Sequence, residues 1–240
     1  MSFGHGISSK VYYHTVDLSQ YVESVDPTFE RDIADIRVLA TPWVQRVAGR
    51  KAITIALAGV HDPSAGAIGP SVWSIFDGVT GRVFAYLPQG DSLGGVAYCS
   101  VNLVSSESIT AGDDAVRMPV TVIGSTSADR AEILHTLGEE TGTGSEDAGS
   151  TVDSGSASAN GGGAYLIVTA LDGGATLSAK IQHSDNGSDW SDLVAFSDVT
   201  SETSEQKVVA AETAVERYIR AAWTLSLGSA ATFFIAFGRR

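Results

Sequence analysis

The last third of the chain restricts the fold more than any other part. Between residues 164 and 237 short apolar runs, AYLIVTAL, ATLSAKIQH, WSDLVAF, KVVA, VERYIRAAWTLS and AATFFIAF, follow one another at nearly regular spacing. Between them stand turn sequences, of which Asp172-Gly173-Gly174 and Asn186-Gly187 are the sharpest. Runs of four to twelve residues cut by Asn-Gly and Asp-Gly are too short for a helical bundle and suit antiparallel strands. Within residues 215–225, Val215, Arg217, Ile219, Ala221 and Trp223 alternate with Glu216, Tyr218, Arg220, Ala222 and Thr224, the period of a strand with one covered face. The reading is a small antiparallel β-sandwich of jelly-roll-like or immunoglobulin-like pattern.

The first half is strand-rich as well. Residues 10–14 and 16–21 form a predicted hairpin with a turn at the Asp17-Leu18-Ser19 step, and residues 52–60 (AITIALAGV) alternate Ile53, Ile55 and Leu57 with small residues. Residues 82–87, 95–104 and 116–123 supply three more predicted strands. A single helix is expected near Trp73: Val72, Ile75, Phe76 and Val79 fall at helical spacing, with Pro70 at the first position and Gly78 near the end. Residues 26–50 alternate charge through Glu30, Arg31, Asp32, Asp35 and Arg37 before Trp43, Arg46 and Gly49, and carry no clean strand period. The fold class is therefore mainly β, with two units: residues 1–130, a β-sandwich with one short helix, and residues 131–240, a second antiparallel sandwich. Residues 138–163, which hold one Val and no aromatic side chain, are expected to be a flexible Gly/Ser-rich segment.

A chain of 240 residues buries roughly 70% of its unfolded surface without needing metals or disulfides. Cys99 is its only cysteine, which suits a reducing compartment. The opening Met-Ser-Phe-Gly-His-Gly has neither the basic nor the apolar region of a secretory signal. The longest strongly apolar stretch, residues 230–237, is about a third of the ~20 residues a membrane span needs, so no membrane partner is expected. A net charge of −13, with no cluster of four or more Lys and Arg, argues against tight nucleic-acid binding while permitting DNA that slides without adhering.

Catalytic motifs are missing one after another. No G-x-S-x-G elbow and no P-loop occurs, and Gly142-Thr143-Gly144 runs into Ser-Glu-Asp rather than opening a helix. His5, His14, His61, His135 and His183 lack metal-ligand spacing, and one cysteine cannot supply a zinc site. His61-Asp62 before Pro63 reads as a turn at a strand end. Asp185, Asn186, Ser188, Asp189 and Asp192 do not follow an EF-hand loop and read as a turn with solvated acids. Asn186-Gly187-Ser188 fits a glycosylation sequon, which is irrelevant without a secretory signal. Trp190, Phe196, Tyr218, Trp223, Phe233 and Phe234 could line a sugar-binding face but read mainly as core. No catalytic, cofactor-binding or metal-binding residue is assigned, and the chain is not expected to be an enzyme.

The opening SFGHGISSKVYYHTVDLSQYVESV resembles the start of siphophage-type major tail proteins, the tail tube subunits. FERDIADIRVLATPWVQRVAGRKAITIALAGVHD is similar to that family's charged loop and the strand after it. AEILHTL, YLIVTAL, KIQHSDNGSDW, LVAF and ERYIRAAWTL resemble the C-terminal module carried by some tail proteins. The resemblance implies a virion protein, assembled in the host bacterial cytoplasm. It would close into rings, typically hexameric, that stack into the phage tail tube through which DNA is ejected. Implied partners are further copies of itself, tape measure and terminator proteins, and genomic DNA passing through the lumen. It also places an inter-ring arm at residues 26–50. The Gly/Ser-rich segment permits residues 131–240 to project from the tube's outer face, so a chain cut at about Ala131 is expected still to polymerise. The alternative is a virion surface adhesin or decoration protein whose C-terminal domain binds host glycans.

Overall fold

The computed structural model describes residues 8–37, 43–64, 67–112 and 114–240. In chain order the strands are β1 (Lys10–Tyr13), β2 (Val16–Asp17), β3 (Val22–Ile36) and β4 (Gln45–Gly59), followed by the helix α1 (Ile68–Phe76). Next come β5 (Arg82–Leu87), β6 (Val96–Glu107), β7 (Thr110–Ala111), β8 (Val116–Arg117), β9 (Val120–Gly124) and β10 (Asp129–Thr141). The chain finishes with β11 (Glu146–Ala148), β12 (Val152–Asp153), β13 (Gly162–Leu171), β14 (Leu177–Ser184), β15 (Ser191–Ala195), β16 (Thr203–Val209), β17 (Tyr218–Leu225) and β18 (Ala230–Arg239). The protein is mainly β, as its pattern requires.

Two sheets carry the architecture. The larger has eleven strands, in the order β16-β13-β18-β10-β6-β5-β1-β2, with a branch in which β6 pairs β9, β9 pairs β4 and β4 pairs β3. The smaller places β11 and β12 on one side of β17 and β14 and β15 on the other. Their contact is the second sandwich. Leu166, Val168, Phe233, Ile235 and Phe237 of the large sheet meet Leu177, Ile181, Ile219, Ala221 and Leu225 of the small one.

The reverse face of the same strands is also buried. Tyr165 and Ile167 of β13 and Phe234 and Ala236 of β18 pack with Tyr12, Val83, Ala85, Leu87, Ala97 and Cys99 from the first half of the chain. The sequences AYLIVTAL and AATFFIAF are almost continuously apolar for this reason, since strands covered on both faces have no side left for polar residues. The large sheet thus folds over onto itself. At the fold the Ser204 hydroxyl of β16 accepts a hydrogen bond from the Val83 amide (3.2 Å) and pairs with the His14 ring (3.0 Å). Beyond it a third core joins Val11, Tyr13 and Phe84 to Ile55 and Leu57 of β4, Val120 and Val122 of β9, and Ile68, Val72 and Ile75 of α1.

Several expectations need correction. The β1–β2 turn falls at His14, whose φ of 56° is left-handed, and β2 has two residues only. Asp17 instead caps the following bend by accepting the Ser19 amide. The helix begins two residues before Pro70, and its covered stripe is Ile68, Val72 and Ile75, while Phe76 and Val79 are exposed. Residues 138–163 are not a bare linker: β10 continues to Thr141, and β11 and β12 hydrogen-bond to β17. The small side chains there lie flat on the sandwich edge, and backbone pairing holds what apolar burial cannot. The step from 130 to 131 lies inside β10, which pairs β6 through Asp129–Glu132 and β18 through Glu132–Thr141. The second half is therefore sewn into the first through one sheet, and does not hang from it as a projecting domain.

Candidate assembly surface

Residues 26–50 are the largest departure from the sequence reading. Residues 26–36 and 45–50 belong to a pair of long strands, β3 and β4, of 15 residues each, paired from Val22 opposite Gly59 to Ile36 opposite Gln45, while residues 38–42 lie outside the described residues. Alternating charge hides the period because both faces of the outer half are open. β4 gains a second neighbour, β9, only over Thr54–Leu57. From Phe29 to Ile36 the ribbon pairs with no other strand among the described residues and extends roughly 25 Å, while at its base the Phe29 ring packs on Tyr98 of β6 at 5.6 Å.

That ribbon carries Phe29 (53% exposed), Ile33 (63%) and Val47, with Trp43 (82%) beside its tip. Asp35 binds Arg46 at 3.3 Å and Arg37 at 3.8 Å. Exposed ion pairs of this kind contribute at most about 1 kcal/mol. A two-stranded ribbon is marginal by itself in water, and apolar side chains grouped on its exposed surface mark a site of interaction. A second apolar patch lies on α1, where Trp73 and Phe76 stack at 5.7 Å and stand exposed.

The residues weighed for chemistry are not brought together. His14 is held by Ser204, His135 stacks on Phe233 at 4.2 Å, His61 faces the Met118 sulfur, and His183 accepts the Glu216 amide. His5 lies outside the described residues. Burial holds His14 down at about 4, so its ring is neutral. Asp62 accepts the Ser64 amide in a tight turn, which lowers its carboxyl from the usual range. Asn186 accepts the amides of Ser188 and Asp189, and Asp192 is engaged by Lys180 and Gln182, so the acids there serve a turn and a salt bridge. Among the described residues no group of three or more His, Cys, Asp or Glu could hold a metal ion. Cys99 is buried, which pushes its thiol well above the ordinary range.

Of the six aromatic residues of the second half, Phe196, Trp223, Phe233 and Phe234 are core. Trp190 and Tyr218 are surface residues, with Arg220 over the Trp190 ring at 4.2 Å and Arg217 over Tyr218 at 4.9 Å. In the Gly142-Thr143-Gly144 turn, a Cβ on Gly142 would lie 2.1 Å from the Ser226 carbonyl, and Gly144 has a φ of 75°. These glycines close a tight turn between β10 and β11 and form no phosphate cradle. Among the described residues no helix is long and apolar enough to cross a membrane.

Fold and surface together define a mainly β protein whose most distinctive exterior feature is an uncovered, partly apolar arm. No protein-family model and no curated protein matches the chain. Among solved structures it overlaps a chain of the virion of a native gene transfer agent particle at 13% identity and a TM-score of 0.43, covering 52% of this chain and 97% of that one. A chain from the tail of an empty gene transfer agent particle gives the same identity and score over 54% and 98%. The Dit protein of phage SPP1, described as a hub adsorption apparatus, overlaps 96% and 99% at 6% identity and a TM-score of 0.38. At these scores the overlaps fix no function.

Proposed function

We propose that the chain is a structural protein of a phage tail, a tube subunit that closes into rings, hexameric by resemblance, which stack into a conduit for DNA. The observation that carries this reading is the β3–β4 ribbon. It presents Ile33 and Val47 to solvent, and Phe29, whose ring packs on Tyr98 at its base, stays half exposed, which suits an element completed by another copy. Contacts that join unlike surfaces do not close on themselves, so they generate a filament. The polypeptide acts through geometry, without a bond-making site. Tape measure and terminator proteins and passing DNA are its further partners, residues 1–130 and 131–240 are two halves joined through one sheet, and the virion tail is its location.

Negative-stain microscopy of concentrated protein tests the proposal, with rings or tubes expected. Deleting residues 33–45 should abolish tubes or shorten them severely while leaving a folded particle. Tubes of normal length after the deletion would remove the arm from assembly, and a wild-type chain that never associates would end the proposal.

The second reading is a surface adhesin or decoration protein. It is favoured by Trp190 and Tyr218, which lie outside the core beneath Arg220 and Arg217. A glycan array combined with size-exclusion chromatography separates the two, since an adhesin retains sugars while remaining a small oligomer.

A further inference from the structure

The two ends of β10 differ in charge. At its start a cleft of about 880 Å³ opens between the base of the β3–β4 ribbon and the ends of β10 and β18. Its wall carries Arg50, Lys51 and Arg130, none of which has a hydrogen-bond or ion-pair partner among the described residues. Arg240 and Asp129 also line it, but they neutralise each other at 2.8 Å, and Glu30 is its only other acid. In a chain of net charge −13, three unpaired cations on one concave surface are a strong local reversal of sign.

The other end of β10 is acidic, and Glu140, Thr143 and Asp147 there border a separate pocket of about 530 Å³. The exposed turn from Thr143 to Ser145 is flanked by Glu139 and Glu140 on β10 and by Glu146 and Asp147 on β11. Lys180 binds Glu146 there, and the His135 ring faces Glu140, while Glu139 has no partner among the described residues. The backbone at Gly142 and Gly144 makes this a tight turn, since a Cβ on Gly142 would meet the Ser226 carbonyl and Gly144 has a φ of 75°.

We infer that the β10–β11 turn of one copy seats in the cationic cleft of the next, head to tail, with Glu139 and Asp147 facing Arg50, Lys51 and Arg130. The inference rests on the proposed tube and specifies its stacking contact. Opposite charge on unlike surfaces orients copies in one direction and rejects head-to-head association, because like charges brought together cost several kcal/mol. Donor and acceptor lie at opposite ends of a 13-residue strand. The axial repeat therefore should not exceed about 45 Å.

The test uses full-length protein, with folding checked by circular dichroism. The cleft variant Lys51→Glu/Arg130→Glu and the turn variant Glu139→Lys/Asp147→Lys should each raise the concentration needed for assembly by about tenfold or more. The chain carrying all four changes should recover assembly, and an equimolar mixture of the two variants should copolymerise. Raising the salt concentration should weaken wild-type assembly, since exposed charge is screened. Folded single-side variants that assemble like wild type would overturn the inference, as would failure of the combined variant to recover or a repeat well above 45 Å. Cleft variants that lose retention on duplex DNA while assembling normally would assign the cleft to nucleic acid and overturn it too. In these cases the tube reading survives, whereas a wild-type chain that never assembles removes both.

Discussion

Two residues at the fold of the large sheet show how burial there becomes a measurable property. His14 lies beside Ser204 with its ring pushed down from 6.5 to about 4, first by burial and then by the nearby Arg82 guanidinium. The unfolded chain binds a proton at this site more readily than the folded one, so stability rises with pH across that interval. The contribution is complete above about 6.5 and is lost as pH falls towards 4. Melting temperature should therefore drop between pH 7 and 5, and His14→Gln, measured by thermal unfolding, should flatten that part of the profile. Asp129 is the second case. Its buried carboxylate accepts the Tyr165 hydroxyl at 2.6 Å and the Arg240 guanidinium at 2.8 and 2.9 Å. Replacing Arg240 by Met leaves that charge without its cation and should cost about 2–4 kcal/mol in urea unfolding, near the low end for a broken buried pair because Arg240 is one-third exposed. Tyr165→Phe keeps the cation and should cost less, about 1 kcal/mol. Neither network was legible in the sequence, because both join residues more than a hundred positions apart or across the sheet fold, and no local pattern marks such partners.

The elements were legible in proportion to how one-sidedly they are covered. β5 (Arg82–Leu87) falls at its predicted bounds, and β13, β14 and β18 lie within two residues of theirs, because dense apolar content and flanking Gly turns define them. The outer ribbon escaped detection since an element open on both faces has no reason to alternate, and its glycine and charge content mimics a loop. β11 and β12 escaped for another reason: their pairing with β17 depends on backbone groups, which every residue supplies. The ribbon supports a separable prediction. Ile33→Ser together with Val47→Ser removes apolar side chains that stand exposed on the outer ribbon, so thermal stability should change by about 0.5 kcal/mol or less. Assembly followed by sedimentation should nonetheless fall sharply. Loss of both folding and assembly would make the pair structural, and loss of neither would leave the ribbon outside the contact.

The whole molecule behaves as one unit because its cores alternate along a single curled sheet. Pattern reading groups β13, β14, β17 and β18 together, and their sandwich is built from the second half of the chain. What it misses is that Tyr12, Val83, Ala85, Leu87, Ala97 and Cys99 from the first half have their cover in Ile133, Tyr165, Ile167, Phe234 and Ala236 from the second. Ending the chain before Ala131 would bare that whole face and strip β6 of its partner β10. Losing the cover of the larger buried side chains, at about 1.5–3 kcal/mol each, is comparable with the 5–15 kcal/mol by which a domain is ordinarily stable. A chain of residues 1–130 should therefore be insoluble or molten, with dye-accessible apolar surface and no sharp thermal transition. If it instead melted cooperatively and formed tubes, the second half would be dispensable ornament and the shared core would carry little of the stability assigned to it here.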